Sequence, residues 1–147
     1  MKAGGWRFVR WGMTAEEIVA ASEGCARRIE ADEREGQSGD DFTTLAVAEA
    51  VIGPFEFDVS FRALRDGTTL TTVRLELRDA EHYAGLLAAL TAEYGAGEAL
   101  PREPDRERVR WRTVEAAVVL KRLTWPMDLG VDVVVDYEPN DANGAEA

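Results

Sequence analysis

The stretch PFEFDVSFRALRDGTTLTTVRLEL, residues 54–77, decides the fold. In its first half, large apolar side chains stand at every second position: Phe55, Phe57, Val59 and Phe61. In its second half the same spacing recurs between charged residues: Val73, Leu75 and Leu77. Asp66-Gly67 between the halves is typical of a turn, because both residue types tolerate a positive φ. We therefore predict an antiparallel hairpin with one buried face and one solvated face.

Further strands are predicted on both sides of this hairpin. TTLAVAEAVIG, residues 43–53, is rich in β-branched residues and predicts a strand before it. Three more strands are predicted at about 109–113, 116–124 and 131–137. Between them, Asp79 is a predicted helix N-cap and Gly95 a predicted helix end. The intervening residues carry one apolar stripe at helical spacing: Tyr83, Leu86, Leu87, Leu90 and Tyr94.

The segment RFVRWGMTAEEI, residues 7–18, joins a predicted first strand, which ends near Trp11, to a first helix. Thr14 followed by Glu17 is a capping box, and Met13 with Ile18 forms a hydrophobic staple. Two interpretations are open: a turn that grips a ligand, or a hinge between a strand and the helix it packs on. Each residue type in the segment has a structural role, which favours the hinge.

These elements predict a single α+β domain over residues 1–138, in the order β-α-βββ-α-βββ. Two helices cannot cover both faces of one sheet, so we expect a curved antiparallel sheet of about six to seven strands with both helices on one side. Residues 27–41 are predicted to be a mobile acidic loop, and 139–147 a disordered acidic tail. A helix followed by three strands occurs twice, which raises the suspicion of an internal duplication.

Composition excludes several classes of protein. The chain has 147 residues, 28 acidic against 17 basic, for a net charge of −11. Such a chain repels phosphate backbones, which argues against nucleic-acid binding. No apolar run is long enough for a membrane span, and the N-terminus lacks the apolar core of a signal peptide. With the single Cys25, these features predict a cytoplasmic protein that does not act at a membrane. The acidity serves either solubility alone or a basic partner.

The residue types for catalysis and metal binding are sparse. His82 is the only histidine and has no evident partner for acid–base chemistry in the sequence. Cys25 is predicted to be a small packing residue that is at least half-buried. Thiol and imidazole clusters for soft metals, the twelve-residue calcium pattern and phosphate-binding glycine loops are all missing from the sequence. We therefore predict no catalytic residues, no metal, no cofactor and no enzymatic activity.

Three motifs carry a resemblance: RWGMTAEE, FRALRDGTTL and YAGLLAALTAEYG. Together they resemble a bacterial pattern, WGM-s-x-e-E, F-x-dG-x-L and L-x-x-x-YG, of small uncharacterised proteins. The arrangement is also broadly similar to helix–sheet modules of the β-lactamase-inhibitor-protein type. This resemblance covers most of the chain and implies a non-enzymatic binding module. It carries over no catalytic residue, because the pattern contains none.

The candidate functional residues belong to two surfaces. The first would bind a basic protein partner, as an inhibitor or immunity-like protein does. Acidic residues would accelerate association with the partner, and buried aromatic side chains would then provide most of the affinity. The residues assigned to that role are Asp32, Glu33, Glu35, Asp40, Asp41, Trp6 and Trp125. A stripe of Arg108, Arg110 and Arg112 predicts either an anion-binding strand face or a solvated face paired with acids such as Glu107 and Glu115. The alternative function is small-molecule binding in a pocket between the sheet and the helices.

Overall fold

The computed structural model describes residues 5–29, 42–64, 67–127 and 129–139. Its strands are β1 Gly5–Trp6, β2 Val9–Arg10, β3 Ala26–Arg28, β4 Phe42–Ile52, β5 Phe55–Leu64, β6 Thr72–Leu77, β7 Glu98–Ala99, β8 Arg106–Arg112, β9 Ala117–Thr124 and β10 Val131–Glu138. Its α-helices are α1 Ala15–Ala21 and α2 Tyr83–Tyr94, and a 3₁₀ turn, Ala80–His82, leads into α2.

The predicted α+β class is confirmed, and the main sheet is open and antiparallel. It has eight described strands in the order β3-β4-β5-β6-β10-β9-β8-β7, against the six to seven predicted. The two additional edge strands, β3 and β7, are only three and two residues long. The predicted loop at 27–41 therefore begins too early, because residues 27 and 28 lie in β3. The rest of that loop, from residue 30, and the tail from residue 140 lie outside the described residues.

The chain divides into two units whose strands are arranged in the same way. In each unit the first strand lies at an edge of the sheet, the last strand lies at its centre, and consecutive strands are neighbours. The first unit, residues 15–77, is α1 followed by β3, β4, β5 and β6. The second unit, residues 83–138, is α2 followed by β7, β8, β9 and β10. The last strands of the two units pair with each other, Leu75 opposite Val135 and Val73 opposite Tyr137. The suspected repeat is therefore present in the topology, as a helix with four strands instead of three.

The predicted central hairpin is confirmed by the pairing of β5 with β6. Phe57 lies opposite Leu77 and Phe61 opposite Val73, as the alternation requires. The face that carries them is almost fully buried, whereas Asp58 and Glu76 on the other face are exposed. The connection, residues 65–71, is longer than a two-residue turn. Gly67 donates its N–H to Leu64 O at 2.7 Å, and Asp66 lies outside the described residues.

The first described residues form two short strands, where a single strand was predicted. Gly5 pairs with Arg10 and Trp6 with Val9, which makes a two-stranded ribbon apart from the main sheet. The reversal is at Arg7, whose φ of 49° lies in the left-handed region that side chains other than glycine adopt at a cost. The capping box is confirmed: Glu17 N–H donates to Thr14 Oγ1 at 3.3 Å, and Thr14 N–H donates to Glu17 Oε1 at 2.9 Å.

Both helices pack on the same hydrophobic core. Ile18 of α1 and Leu86 and Leu90 of α2 are buried in one cluster with the apolar residues of β5, β6 and β10. Asp79 caps the 3₁₀ turn, since its Oδ1 accepts from Glu81 N–H at 3.0 Å. The α-helix therefore begins at Tyr83, four residues after the predicted cap, and Gly95 follows its end as predicted. The opposite side of the sheet carries most of the sheet's charged residues.

Candidate functional site

The residues predicted to bind a partner divide into three groups in the structure. The acidic set Asp32, Glu33, Glu35, Asp40 and Asp41 lies outside the described residues. Trp6 is only 7% exposed and packs 6.0 Å, centroid to centroid, from both Phe61 and Tyr137, so it offers little surface to a partner. Trp125 is 48% exposed. Of the predicted aromatic anchors, Trp125 alone lies at the surface.

Trp125 belongs to an exposed apolar turn between β9 and β10, residues 125–130, which we call the hairpin tip; residue 128 lies outside the described residues. Met127 is 91% exposed and Leu129 74% exposed. Three large apolar side chains within five residues of one turn are unusual for a surface that meets only water. The sequence prediction identified Trp125 and missed its two neighbours.

Hydrogen bonds connect the described residues of the hairpin tip to one another and to β10. Trp125 N–H donates to Gly130 O at 2.9 Å, and Leu129 N–H donates to Pro126 O at 3.2 Å. The indole Nε1–H of Trp125 donates to Asp132 Oδ2 at 2.7 Å. Met127 has a φ of 59°, a left-handed conformation that a side chain other than glycine adopts at a cost. The apolar side chains are thus displayed on a turn that is closed by backbone hydrogen bonds on both sides of residue 128.

The equivalent turn of the first unit is covered. Leu70 lies two residues before β6, as Leu129 lies two residues before β10. Gly12 N–H donates to Leu70 O at 2.9 Å, and Leu70 N–H donates to Met13 O at 2.8 Å, so the segment before α1 seals this turn. Leu70 is 1% exposed. The position two residues before the last strand is therefore buried in the first unit and exposed in the second.

The arginine stripe on β8 is a face paired with acids. Arg110 Nη2 lies 2.9 Å from Glu98 Oε1, and Arg108 Nη2 lies 3.2 Å from Glu103 Oε1. The acids that pair with Arg110 and Arg108 are therefore Glu98 and Glu103. The sequence had suggested Glu107 and Glu115 for this role. Arg112 is exposed at the end of the stripe. The ion pairs favour the interpretation of a solvated, paired face over that of an anion site.

A buried carboxylate lies on the same side of the sheet. Asp136 is 1% exposed. Its Oδ1 accepts from Arg74 Nε at 2.8 Å, and its Oδ2 accepts from Arg74 Nη2 at 2.9 Å and lies 2.7 Å from Lys121 Nζ. Burial alone would raise the pKa of Asp136. The hydrogen bond from Arg74 and the charges of Lys121 and Arg74 outweigh it, so the pKa lies below the ordinary value. The arrangement joins the two units across β6, β10 and β9.

The residues with catalytic potential lie at the surface. His82 Nε2 is 3.3 Å from Asp79 Oδ2, a partner that sequence analysis did not identify, and both side chains are about half exposed. The small hollow beside them, about 120 Å³, is lined by Pro54, Phe55, Glu56, Leu77, Arg78, Asp79 and His82, none of which carries a hydroxyl or thiol. Cys25 is exposed, against the predicted half-burial. Within the described ranges, no group of three or more His, Cys, Asp or Glu residues is arranged to hold a metal ion.

A cleft of about 590 Å³ opens on the helix side of the sheet. It lies between α2 and the β1–β2 ribbon, with Tyr137 and Val118 of the sheet among its lining residues. The Tyr94 and Tyr137 hydroxyl oxygens are 3.5 Å apart. Residues from the two ends of the chain meet here, so no local pattern in the sequence indicates the cleft.

Neither described helix combines the length and apolar character that crossing a bilayer requires. Comparison of the chain with protein-family models, with curated proteins and with solved structures finds no match.

Proposed function

We propose that this protein is a non-enzymatic protein-interaction module that binds a basic partner, in the manner of an inhibitor or immunity-like protein. The observation that carries the proposal is the hairpin tip, where Trp125, Met127 and Leu129 are exposed together on one hydrogen-bonded turn. Tryptophan is enriched among the residues that dominate binding energy at interfaces, and methionine is enriched in interfaces generally. A turn of this composition is suited to fill an apolar pocket on another protein.

The contrast between the two units supports this role. The turn before β6 is sealed by the segment that precedes α1, and Leu70 is buried there. In the second unit, the segment before the helix contains Arg78 and Asp79. Arg78 N–H donates to Glu56 O at 3.0 Å, so this bond is made to the first unit and not to the hairpin tip. In the first unit, the segment before α1 covers the turn before β6. A partner protein bound at the hairpin tip would cover the equivalent turn of the second unit.

Charge complements the apolar contact. The net charge of −11 raises the rate of encounter with a basic protein through long-range attraction. At the tip, Asp132 Oδ2 accepts from the Trp125 indole Nε1–H, which places one carboxylate beside the apolar side chains. The resemblance to helix–sheet modules of the β-lactamase-inhibitor-protein type points the same way. A cytoplasmic location, predicted from the sequence, is part of the proposal.

The test compares two substitutions of the same residue type. Leu129→Ser removes an apolar side chain from the tip, whereas Leu64→Ser removes one that is 60% exposed at the end of β5 in the first unit. Met127→Gly is added to the tip variant, because a φ of 59° suits glycine and the backbone should be retained. Each protein is used to capture partners from the cells that make it. Affinity for the captured partner is then measured with purified components.

We expect the wild type and Leu64→Ser to bind one basic protein with equal affinity. The Met127→Gly, Leu129→Ser variant should bind it at least about 30-fold more weakly, the loss typical of an interface hot spot. Equal affinity of the tip variant would refute the anchoring role of the tip. Joint neutralisation of Asp32, Glu33, Glu35, Asp40 and Asp41 should slow association, and the effect should fade as salt rises. An association rate indifferent to both changes would refute acidic steering.

The second candidate function is small-molecule binding, which the cleft between α2 and the β1–β2 ribbon favours. Its volume of about 590 Å³ falls within the usual range for ligand pockets, roughly 300–1,000 Å³.

A further inference from the structure

The cleft is open to solvent, mostly apolar, and lined by residues of both units and of the β1–β2 ribbon. Its lining includes Trp6, Leu86, Leu90, Tyr94, Val118 and Tyr137. Leu86 and Leu90 are buried on the face of α2 that meets the sheet, and Trp6 is held by the pairing of β1 with β2. These six side chains come from helices and strands, whereas the rest of the lining includes Arg7 and residues 113–116, which lie in turns.

Two of the residues that line the cleft, Tyr94 and Tyr137, carry hydroxyl groups that lie close to each other. Tyr137 is 6% exposed, and its oxygen lies 3.5 Å from the Tyr94 oxygen. Burial and the hydrogen bond with Tyr94 raise the pKa of Tyr137, so its hydroxyl stays protonated. Each tyrosine has one O–H donor, and only one of the two donors can serve the bond between them. The pair therefore has one donor left for an acceptor atom on a ligand.

The charges around the cleft have both signs. Glu93 and Glu115 are exposed lining residues, and the Arg7 guanidinium lies 4.8 Å from the centroid of the Trp6 ring. With one cation and two carboxylates, this rim does not select a strongly charged ligand, and the net charge of −11 disfavours anions. Arg7 has a φ of 49°, and such strain is often kept where a binding residue is positioned.

We propose that this cleft binds an uncharged, largely aromatic small molecule that carries a carbonyl or ether oxygen as hydrogen-bond acceptor. The ring system packs against the side of α2 that lines the cleft, where Ala89 is exposed, and the acceptor faces the Tyr94–Tyr137 pair. This proposal rests on the second candidate function, small-molecule binding in the cleft. The site does not depend on the hairpin tip, so it is separate from the proposed protein-binding function.

Nile red is a suitable probe, since it is an uncharged aromatic dye with a carbonyl acceptor and fluoresces in apolar surroundings. The chain offers a matched pair of variants on α2. Ala89 lines the cleft and is exposed, whereas Ala92 is exposed on the same helix and does not line it. Ala89→Trp fills the cleft, and Ala92→Trp adds the same side chain outside it at a similar cost to helix stability.

We expect saturable binding of one dye per wild-type chain. Ala89→Trp should weaken it at least tenfold and Ala92→Trp less than twofold, because only the first occupies the ligand's volume. Tyr94→Phe should weaken it by about three- to tenfold, the effect of one hydrogen bond. The Met127→Gly, Leu129→Ser variant should bind as the wild type does, which separates this site from the tip. Failure of the wild type to bind, or equal binding by the Ala89→Trp protein, would overturn the proposal.

Discussion

Replacing Asp136 by asparagine tests whether the buried carboxylate stabilises the join between the two units. The side chain is 2% exposed, and it is held by both Arg74 and Lys121. Asparagine keeps the shape but has one acceptor oxygen where the carboxylate has two. Its amide N–H₂ group would face a guanidinium or an ammonium, so one cation would lose its partner.

The expected loss in the free energy of unfolding depends on how exposed the side chains of Asp136, Arg74 and Lys121 are. Removing one member of a fully buried ion pair costs about 3–5 kcal/mol. The Arg74 and Lys121 side chains are 29% and 25% exposed, so water offsets part of their lost interactions. We therefore expect a loss of about 2–3 kcal/mol, below the range for full burial. For a chain of this size that lowers the melting temperature by roughly 4–12 °C.

Urea unfolding at several pH values would measure the effect. The pKa of Asp136 lies below its unfolded value near 3.8. Its contribution is therefore complete above about pH 4 and is lost as the pH falls through the folded-state pKa. The difference between wild type and Asp136→Asn should be largest at neutral pH and shrink in acid. As a control, Glu49→Gln alters an exposed pair with Arg78 and should lower the free energy of unfolding by much less than Asp136→Asn does, because water screens the exposed charges. A loss below about 0.5 kcal/mol for Asp136→Asn at pH 7 would refute the reasoning.

Three further substitutions test the packing and charge of the sheet. Glu76→Gln should stabilise the protein by roughly 0.2–1 kcal/mol at pH 7, because Glu76 lies directly opposite Asp58. Partial desolvation and the nearby carboxylates of Asp132 and Asp58 raise the pKa of Glu76, so thermal melts should show the gain disappear as the pH falls below that raised value. Phe57→Ala should cost about 3–5 kcal/mol in chemical unfolding, since Phe57 is fully buried, and a loss under about 1 kcal/mol would contradict its place in the core. Gly97→Ala should cost about 1–3 kcal/mol in the same assay, because a Cβ there would overlap Val109 Cγ1 and lie 2.8 Å from Trp111 Cε2. An unchanged midpoint would show that the backbone at Gly97 can move away.

The sequence predicted the elements whose pattern extends over several residues. β5 and β6 alternate over ten and six residues, so burial on one face leaves a clear period in the sequence. In α2 the predicted stripe spans three turns, and its members Leu86 and Leu90 are the buried residues of the helix. β3 and β7 are too short to show a period, and they were missed. The reversal at Arg7 has neither glycine nor asparagine to mark it, so one strand was predicted where the structure has a two-stranded ribbon.

The candidate sites were harder to predict than the fold. Trp125 and Leu129 are apolar residues beside strands, a context in which burial is the ordinary outcome, and only the course of the turn exposes them. The cleft depends on Trp6, Tyr94 and Tyr137, which are far apart in the chain and meet through tertiary packing. Asp136 lies among valines in β10, and its neighbours in space come from other strands. Local patterns carry no information on such contacts.

The two-unit topology has a consequence for the order of folding. Within each unit the last three strands form hairpins between neighbours in sequence, so their contacts close short loops. The pairing of β6 with β10 is different, since it joins residues about 60 positions apart, such as Leu75 and Val135. Closing that long loop is slow while the hairpins form early. Pulsed hydrogen exchange during refolding should therefore protect the amides within each unit's hairpins before those between β6 and β10.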